Sequence, residues 1–322
     1  MTFVRKALLS LVGAITLVLG MVLFQESVSA FSVSPMKQPI SLVPGQTYSN
    51  KVSVSLPLDD DKNMYYEVSV EPFMVDDKDN NYHIDLSRSD EHNEIVKWVS
   101  LSDGVNTVES GDALTGELAP GKVIDFIYTI NVPKTVVGGG QYFAVLVKSI
   151  PAPSDDTNNN LSINEIKSIA SVVYVDLPGE VVLDGSLKEN RVNGFLLNPP
   201  ITASFVAENK GNTHLEVTYY LQVYPLFSDE EVYTNEEDPA TDYVLPGTSR
   251  YISQTWDKTP SVGIFKVKQT AYYNSEGDES GKSVTERIVI VCPFYLLFLI
   301  IFVIVSIAIW IVFRVRSHKK SR

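Results

Sequence analysis

Short runs in which apolar and polar residues alternate recur along most of this chain, and two long apolar runs bracket them. Lys51-Val52-Ser53-Val54-Ser55-Leu56 and Tyr66-Glu67-Val68-Ser69-Val70-Glu71 put every second side chain on an apolar face, the period of a half-buried strand. Asp125-Phe126-Ile127-Tyr128-Thr129-Ile130 repeats that pattern. Gln141-Tyr142-Phe143-Ala144-Val145-Leu146-Val147 is apolar at nearly every position, which suits a central strand covered on both faces. Pro44-Gly45, Asp103-Gly104, Pro120-Gly121 and Gly138-Gly139-Gly140 punctuate these runs. Many short strands with such punctuation predict an all-β chain of two immunoglobulin-like β-sandwich domains.

The polar stretch 152–164 admits two readings, a linker or the long loop of a hairpin. The run Ile169-Ala170-Ser171-Val172-Val173-Tyr174-Val175 needs a strand partner, and residues 142–147 offer one. The hairpin reading is preferred. It places an outer domain at 31–178, with its boundary at Pro178-Gly179, and a membrane-proximal domain at 179–288.

The two ends fix the expected topology. Residues 7–24 are apolar, follow Arg5 and Lys6, and precede Val28-Ser29-Ala30. That order predicts a secretory signal peptide over 1–30, with the mature chain starting at Phe31. Residues 289–313 carry no charge and predict one C-terminal transmembrane helix. Arg314, Arg316, Lys319, Lys320 and Arg322 make 314–322 a basic tail, cytoplasmic by the positive-inside rule. The expected protein is therefore single-pass, type I, in the cell membrane, with residues 31–288 outside.

Charge sharpens this picture. The 322 residues have a formal net charge of -13. Between the predicted signal peptide and the tail lie 19 basic and 38 acidic residues. So acidic a surface argues against nucleic acid as a partner. The single cysteine, Cys292, lies at the mouth of the apolar segment, so no intrachain disulfide forms and each domain depends on its own core.

Three groups of residues resemble a known family. The first is Phe31-Ser32-Val33-Ser34-Pro35 with Val43-Pro44-Gly45-Gln46-Thr47. The second is Leu118-Ala119-Pro120-Gly121-Lys122, Val132-Pro133-Lys134 and Gly138-Gly139-Gly140-Gln141-Tyr142-Phe143. The third is Asn209-Lys210-Gly211-Asn212, Val244-Leu245-Pro246-Gly247-Thr248, Trp256 and Gly263-Ile264-Phe265-Lys266-Val267. Their order resembles that of the bacterial cell-surface proteins that interact with WxL proteins. The resemblance covers most of the chain and implies a peptidoglycan-binding domain followed by a host-binding domain. The first domain is also similar to the sandwich of periplasmic pilus chaperones.

Candidate chemistry is sparse. Asp77, Asp79, Asn81 and Asp85 alternate as in a calcium loop, but Tyr82 stands at the bend position that favours glycine and Arg88 at the twelfth position. Hairpin turn chemistry accounts for the same residues. The acidic stretch from Asp229 to Asp238 reads as a solvated loop. His83, His92, His214 and His318 lack metal-ligand spacing, and no catalytic set or cofactor motif emerges. Trp98 and Trp256 are expected in the cores. One tyrosine of each pair Tyr219-Tyr220 and Tyr272-Tyr273 is expected to face outward, because neighbours on a strand point to opposite faces. The function expected is non-enzymatic binding at the bacterial surface, to peptidoglycan or another cell-wall polymer, or to partner surface proteins. The alternative is a chaperone-like assembly factor that pairs its sheet edge with strands of secreted clients.

Overall fold

The structure is a computed structural model that describes residues 31–60, 62–76, 83–86, 90–152, 166–273 and 281–320. Residues 1–30, expected to be a signal peptide, and nearly all of 152–164, expected to be a hairpin loop, lie outside the described residues. In chain order the first half contains β1 (Ser32–Ser34), β2 (Lys37–Ser41), β3 (Thr47–Ser55), β4 (Met64–Pro72), β5 (Met74–Asp76), β6 (His83–Asp85), a 3-10 helix (Glu91–Trp98), β7 (Val99–Ser102), β8 (Thr107–Glu109), β9 (Ala113–Leu118), β10 (Val123–Asn131), β11 (Gly139–Ile150) and β12 (Ser168–Leu177). One sheet has the order β1-β3-β10-β7-β8, its partner β2-β12-β11-β4-β9, and β5 pairs with β6. The sequence 32–41 serves both sheets, since β1 pairs antiparallel with β3 and β2 pairs parallel with β12. Strand β12 lies antiparallel beside β11, from Gly139 opposite Leu177 to Lys148 opposite Ser168.

Alternation along these strands builds one continuous core. Val52 and Val54 of β3 and Phe126 and Tyr128 of β10 meet Val68, Val70, Phe143, Val145, Val173 and Val175 from the other sheet. Tyr66 stands edge-on to Phe126 at 5.4 Å between ring centroids, and Tyr128 to Phe143 at 5.5 Å. The Tyr128 hydroxyl, inside this core, donates to Gln38 Oε1 at 2.9 Å. Trp98 is half-buried against the same cluster.

The second half contains β13 (Gly185–Val192), β14 (Phe195–Leu196), β15 (Ile201–Asn209), β16 (Leu215–Pro225), β17 (Tyr233–Thr234), β18 (Ala240–Val244), β19 (Ser249–Trp256), β20 (Gly263–Tyr273), β21 (Lys282–Val291) and a helix, α1 (Phe294–Lys320). Strands β13-β15-β19 form one sheet and β14-β21-β20-β16-β17 the other, with β18 also on β16. Two apolar clusters lie between them. One gathers Ile201, Leu221, Trp256, Phe265 and Val289, the other Phe205, Val217, Tyr219, Ile252 and Ala271. Gln254 lies between Ile252 and Trp256 on β19, and Gln269 between Val267 and Ala271 on β20, so two buried amides mark the divide.

Two sequence expectations are corrected here. The uncharged run read from 289 is not all helix. Val289 and Val291 are fully buried in the sandwich, and Ile290 pairs with Ile264, so the domain runs to Val291 and the helix begins at Phe294. Strand alternation overrides the apolar run because those valines fill the core. Residues 294–311 remain long and apolar enough to cross a membrane. Tyr219 and Tyr220 are both buried, at 7% and 6% exposure. Tyr219 packs on Phe205, and the chain after β16 folds back over the other face, where Glu231 and Glu236 accept from Gln222 at 2.8 and 2.9 Å.

Removing the Phe126 ring takes away a fully buried side chain in the middle of the first core. Phe126→Ala should cost about 3–5 kcal/mol of stability. Chemical denaturation followed by circular dichroism measures it, and a loss below about 1 kcal/mol would contradict a single packed core there.

Candidate functional site: the cleft between the two sandwiches

Strand β11 is buried on both faces. Phe143, Val145 and Val147 enter the first core, while Tyr142 and Ala144 point the other way. That second face packs, with Phe73, Val75, Val172 and Tyr174, against Tyr243 and Leu245 of the second sandwich. Tyr174 and Tyr243 lie 4.6 Å apart, and His214 stands edge-on to Tyr243 at 5.0 Å. Polar bonds close the margin. Thr213 Oγ1 donates to Asp176 Oδ1 at 2.7 Å. Asp242 Oδ1 lies 3.3 Å from Lys37 Nζ of β2 and 2.8 Å from Arg250, and Tyr219 donates to its other oxygen at 2.8 Å.

Glycines let the two backbones touch. Gly140 N–H donates to the Asn212 carbonyl at 2.9 Å. Gly139 has φ +124°, and a Cβ there would lie 2.6 Å from that same oxygen. A Cβ on Gly138 would lie 2.5 Å from the Cα of Gly179. The triple glycine is therefore a docking point for the turn at Asn209-Lys210-Gly211-Asn212 of the second sandwich.

Beside this contact opens a cleft of about 530 Å³, lined by Glu91, His92, Glu94, Trp98, Val137 and Asn212, among others. Its walls are held from below. Asp90 accepts from the His92 N–H at 2.8 Å while Asn93 accepts from the Asp90 N–H at 3.0 Å, a reciprocal cap on the 3-10 helix. Asn93 Nδ2 donates to the carbonyls of Phe73 and Tyr142. Gln141 accepts from the Ile95 N–H at 3.1 Å and donates to the Glu91 carbonyl at 2.9 Å. His92 Nδ1 lies 3.0 Å from the Gly140 carbonyl, which can only accept, so that nitrogen carries a hydrogen and donates. Asn212 accepts from Val182 N–H and donates to the Glu180 carbonyl. These amides shape the floor. The charged groups at the mouth include the exposed carboxylates of Glu91 and Glu94, beside His92 at 3.9 Å and Lys97 at 3.7 Å.

Such an arrangement can recognise; it aligns no nucleophile with a base. No group of three or more His, Cys, Asp or Glu side chains among the described residues gathers to hold a metal. Of the calcium-loop candidates, Asp85 ends β6 opposite Met74, and Asp77, Asp79 and Asn81 lie outside the described residues. A second hollow, of about 630 Å³, lies at the far end of the first sandwich, lined by Tyr65, Glu117, Ile150 and Ile166 among others. Sequence reasoning weighed His214 only as a metal ligand and Tyr142 and Tyr174 only as strand residues, and did not bring them together with Tyr243. The usable signal was in β11 and β12, whose outward positions are aromatic or apolar where a solvated face would be polar.

No family model matches the sequence, and no curated protein matches it. Solved structures similar to this chain include the class 5 fimbriae chaperone CfaA, at 14% identity over 80% of this chain and 99% of that one, TM-score 0.34. The E. coli chaperone DraB matches at 12% identity over 81% and 98%, TM-score 0.36. The Pseudomonas aeruginosa chaperone CupB2 matches at 10% identity over 80% and 100%, TM-score 0.34.

Burial holds the His214 pKa below its ordinary 6.5, against the opposing pull of Asp176 and Glu216. The folded ring resists a proton that the unfolded ring accepts. The stability this supplies is present above pH 6.5 and is lost as pH falls below it. The melting temperature should drop between pH 7 and pH 5, and His214→Phe, which keeps an aromatic ring among the tyrosines, should flatten that drop. Equal slopes in both proteins would overturn the assignment. Separately, Gly139→Ala should cost about 1–3 kcal/mol, from positive φ and from the crowded Asn212 carbonyl. Denaturant titration checks it, with Gly104→Ala, whose Cβ meets nothing within 4 Å, isolating the backbone part.

Proposed function

We propose that the protein is a non-enzymatic, membrane-anchored bacterial surface protein that holds a partner surface protein in the cleft between its sandwiches. The observation that carries this reading is the cleft itself, walled by the first sandwich, floored by Asn212 of the second and rimmed by Glu91 and Glu94. The membrane anchor is α1, which follows β21 after only Cys292 and Pro293. The apolar segment 7–24 and the basic tail support an outward-facing body with a cytoplasmic C-terminus. Strand β16 runs from the interface at Leu215 to the helix end at Pro225, 11 residues. At about 3.3 Å per residue it sets the cleft roughly 35 Å from the start of α1.

The chemistry of the rim favours polypeptide over cell-wall glycan. Trp98 lines the cleft half-buried against the first core, which leaves only part of its ring to stack on a sugar. Two exposed carboxylates suit a segment with basic side chains. The motif order that resembles WxL-interacting proteins supports a surface-protein partner as well.

A photo-crosslinking residue in place of Val137, 86% exposed at the cleft, tests this in cells that carry the full chain. A discrete adduct with a surface protein is expected, reduced several-fold by Glu91→Lys with Glu94→Lys and by raised salt. An adduct pattern matched by a probe at Val105, which is outside the cleft lining, would overturn it. So would retention of the purified chain on sacculi with no protein adduct.

A further inference from the structure

The end of the second sandwich opposite the cleft carries an apolar collar. Phe195 of β14 lies opposite Ile290 of β21, which lies opposite Ile264 of β20. All three are exposed large apolar side chains in one row across three strands. Leu197, Val262 and Phe227 extend the row through the adjoining loops, and Phe227, 94% exposed, follows the residue whose N–H bonds the Ile264 carbonyl. Toward the cleft lysines enter the rows, the first beside Ile288, which is still apolar and exposed. Lys266 stands opposite Ile288 and Lys268 opposite Glu286. An exposed patch of this kind on a soluble surface needs an occupant.

We propose that this collar sits in the lipid interface, so that the second sandwich is partly immersed in the membrane and does not stand off it. The proposal rests on the membrane-anchored reading above. The occupant follows from continuity. Ile290 lies four residues before Phe294, and Phe294 and Tyr295 open α1 as exposed aromatics. With only Cys292 and Pro293 between strand and helix, a helix inserted in the bilayer carries the collar to the headgroup level. The order along the axis is that of an interfacial segment: apolar and aromatic groups deepest, lysines one strand step above, where their stems lie on apolar surface and their ammonium groups reach anionic headgroups.

The test uses the full chain with Cys292→Ala, reconstituted in vesicles of phosphatidylcholine and phosphatidylglycerol. Single cysteines replace Phe227, Ile264, Tyr251 or Phe302 and carry an environment-sensitive fluorophore. Tyr251 is exposed on the opposite sheet toward the cleft end, and Phe302 lies within the apolar helix. Labels at Phe227 and Ile264 should be quenched by shallow lipid nitroxides at least as strongly as by aqueous iodide, and that at Tyr251 by iodide alone. Phe227 is so exposed that its replacement leaves the fold intact. The inference is overturned if both collar labels behave like Tyr251 while Phe302 is quenched by deep nitroxides. It is overturned equally if they are shielded from iodide without lipid quenching, the mark of a second copy or another protein on the patch. Absence of lipid quenching at Phe302 would instead defeat the anchored reading and the collar with it.

Discussion

Two backbones can lie against each other only where no Cβ intervenes, and the relation between the two sandwiches depends on that constraint. Gly138 meets Gly179, and Gly140 donates to the Asn212 carbonyl past the positive φ of Gly139. With the turn after β15 seated there, Tyr142 packs on Tyr174, Tyr174 reaches Tyr243, and His214 falls among the three rings. The cleft floor, the Thr213–Asp176 bond and the Lys37–Asp242 ion pair all follow from this one approach. A side chain in the glycine corner would separate the surfaces that these contacts need.

The two sandwiches share an architecture but not a core. In the first, residues from both sheets merge into a single cluster. In the second, Gln254 and Gln269 enter from opposite sheets and part the apolar side chains into a half toward the first sandwich and a half toward α1. Buried amides cost desolvation without adding apolar contact. The half next to α1 contains Trp256, Phe265, Val289 and Val291, so its packing is continuous with the root of the helix.

Much of the fold was legible because strand periodicity is a local property. The alternation in β3 and β10 placed Val52, Val54, Phe126 and Tyr128 inward, where they are found. The run 142–147 within β11, apolar throughout, was readable as a strand covered on both sides. What covers it was not, since Tyr243 and Leu245 lie about a hundred residues away and no periodicity links them. The end of β21 was lost for a related reason. Val289-Ile290-Val291 continues without a polar break into the helix, and the inward turn of its valines becomes visible only beside β20. The cleft was illegible because the amides of Gln141 and Asn212 that shape it bond backbone, not ligand.

The short passage from β21 to α1 has a mechanical side. Tension applied through α1 would enter the second sandwich at the C-terminal end of β21 and run along that strand. Ten residue pairs join β21 to β20 in antiparallel register. A pull along the strand loads those rungs together in shear, whereas a pull across it would open them one at a time. A pull on the helix thus meets the sandwich in its tougher direction, across ten rungs that share the load.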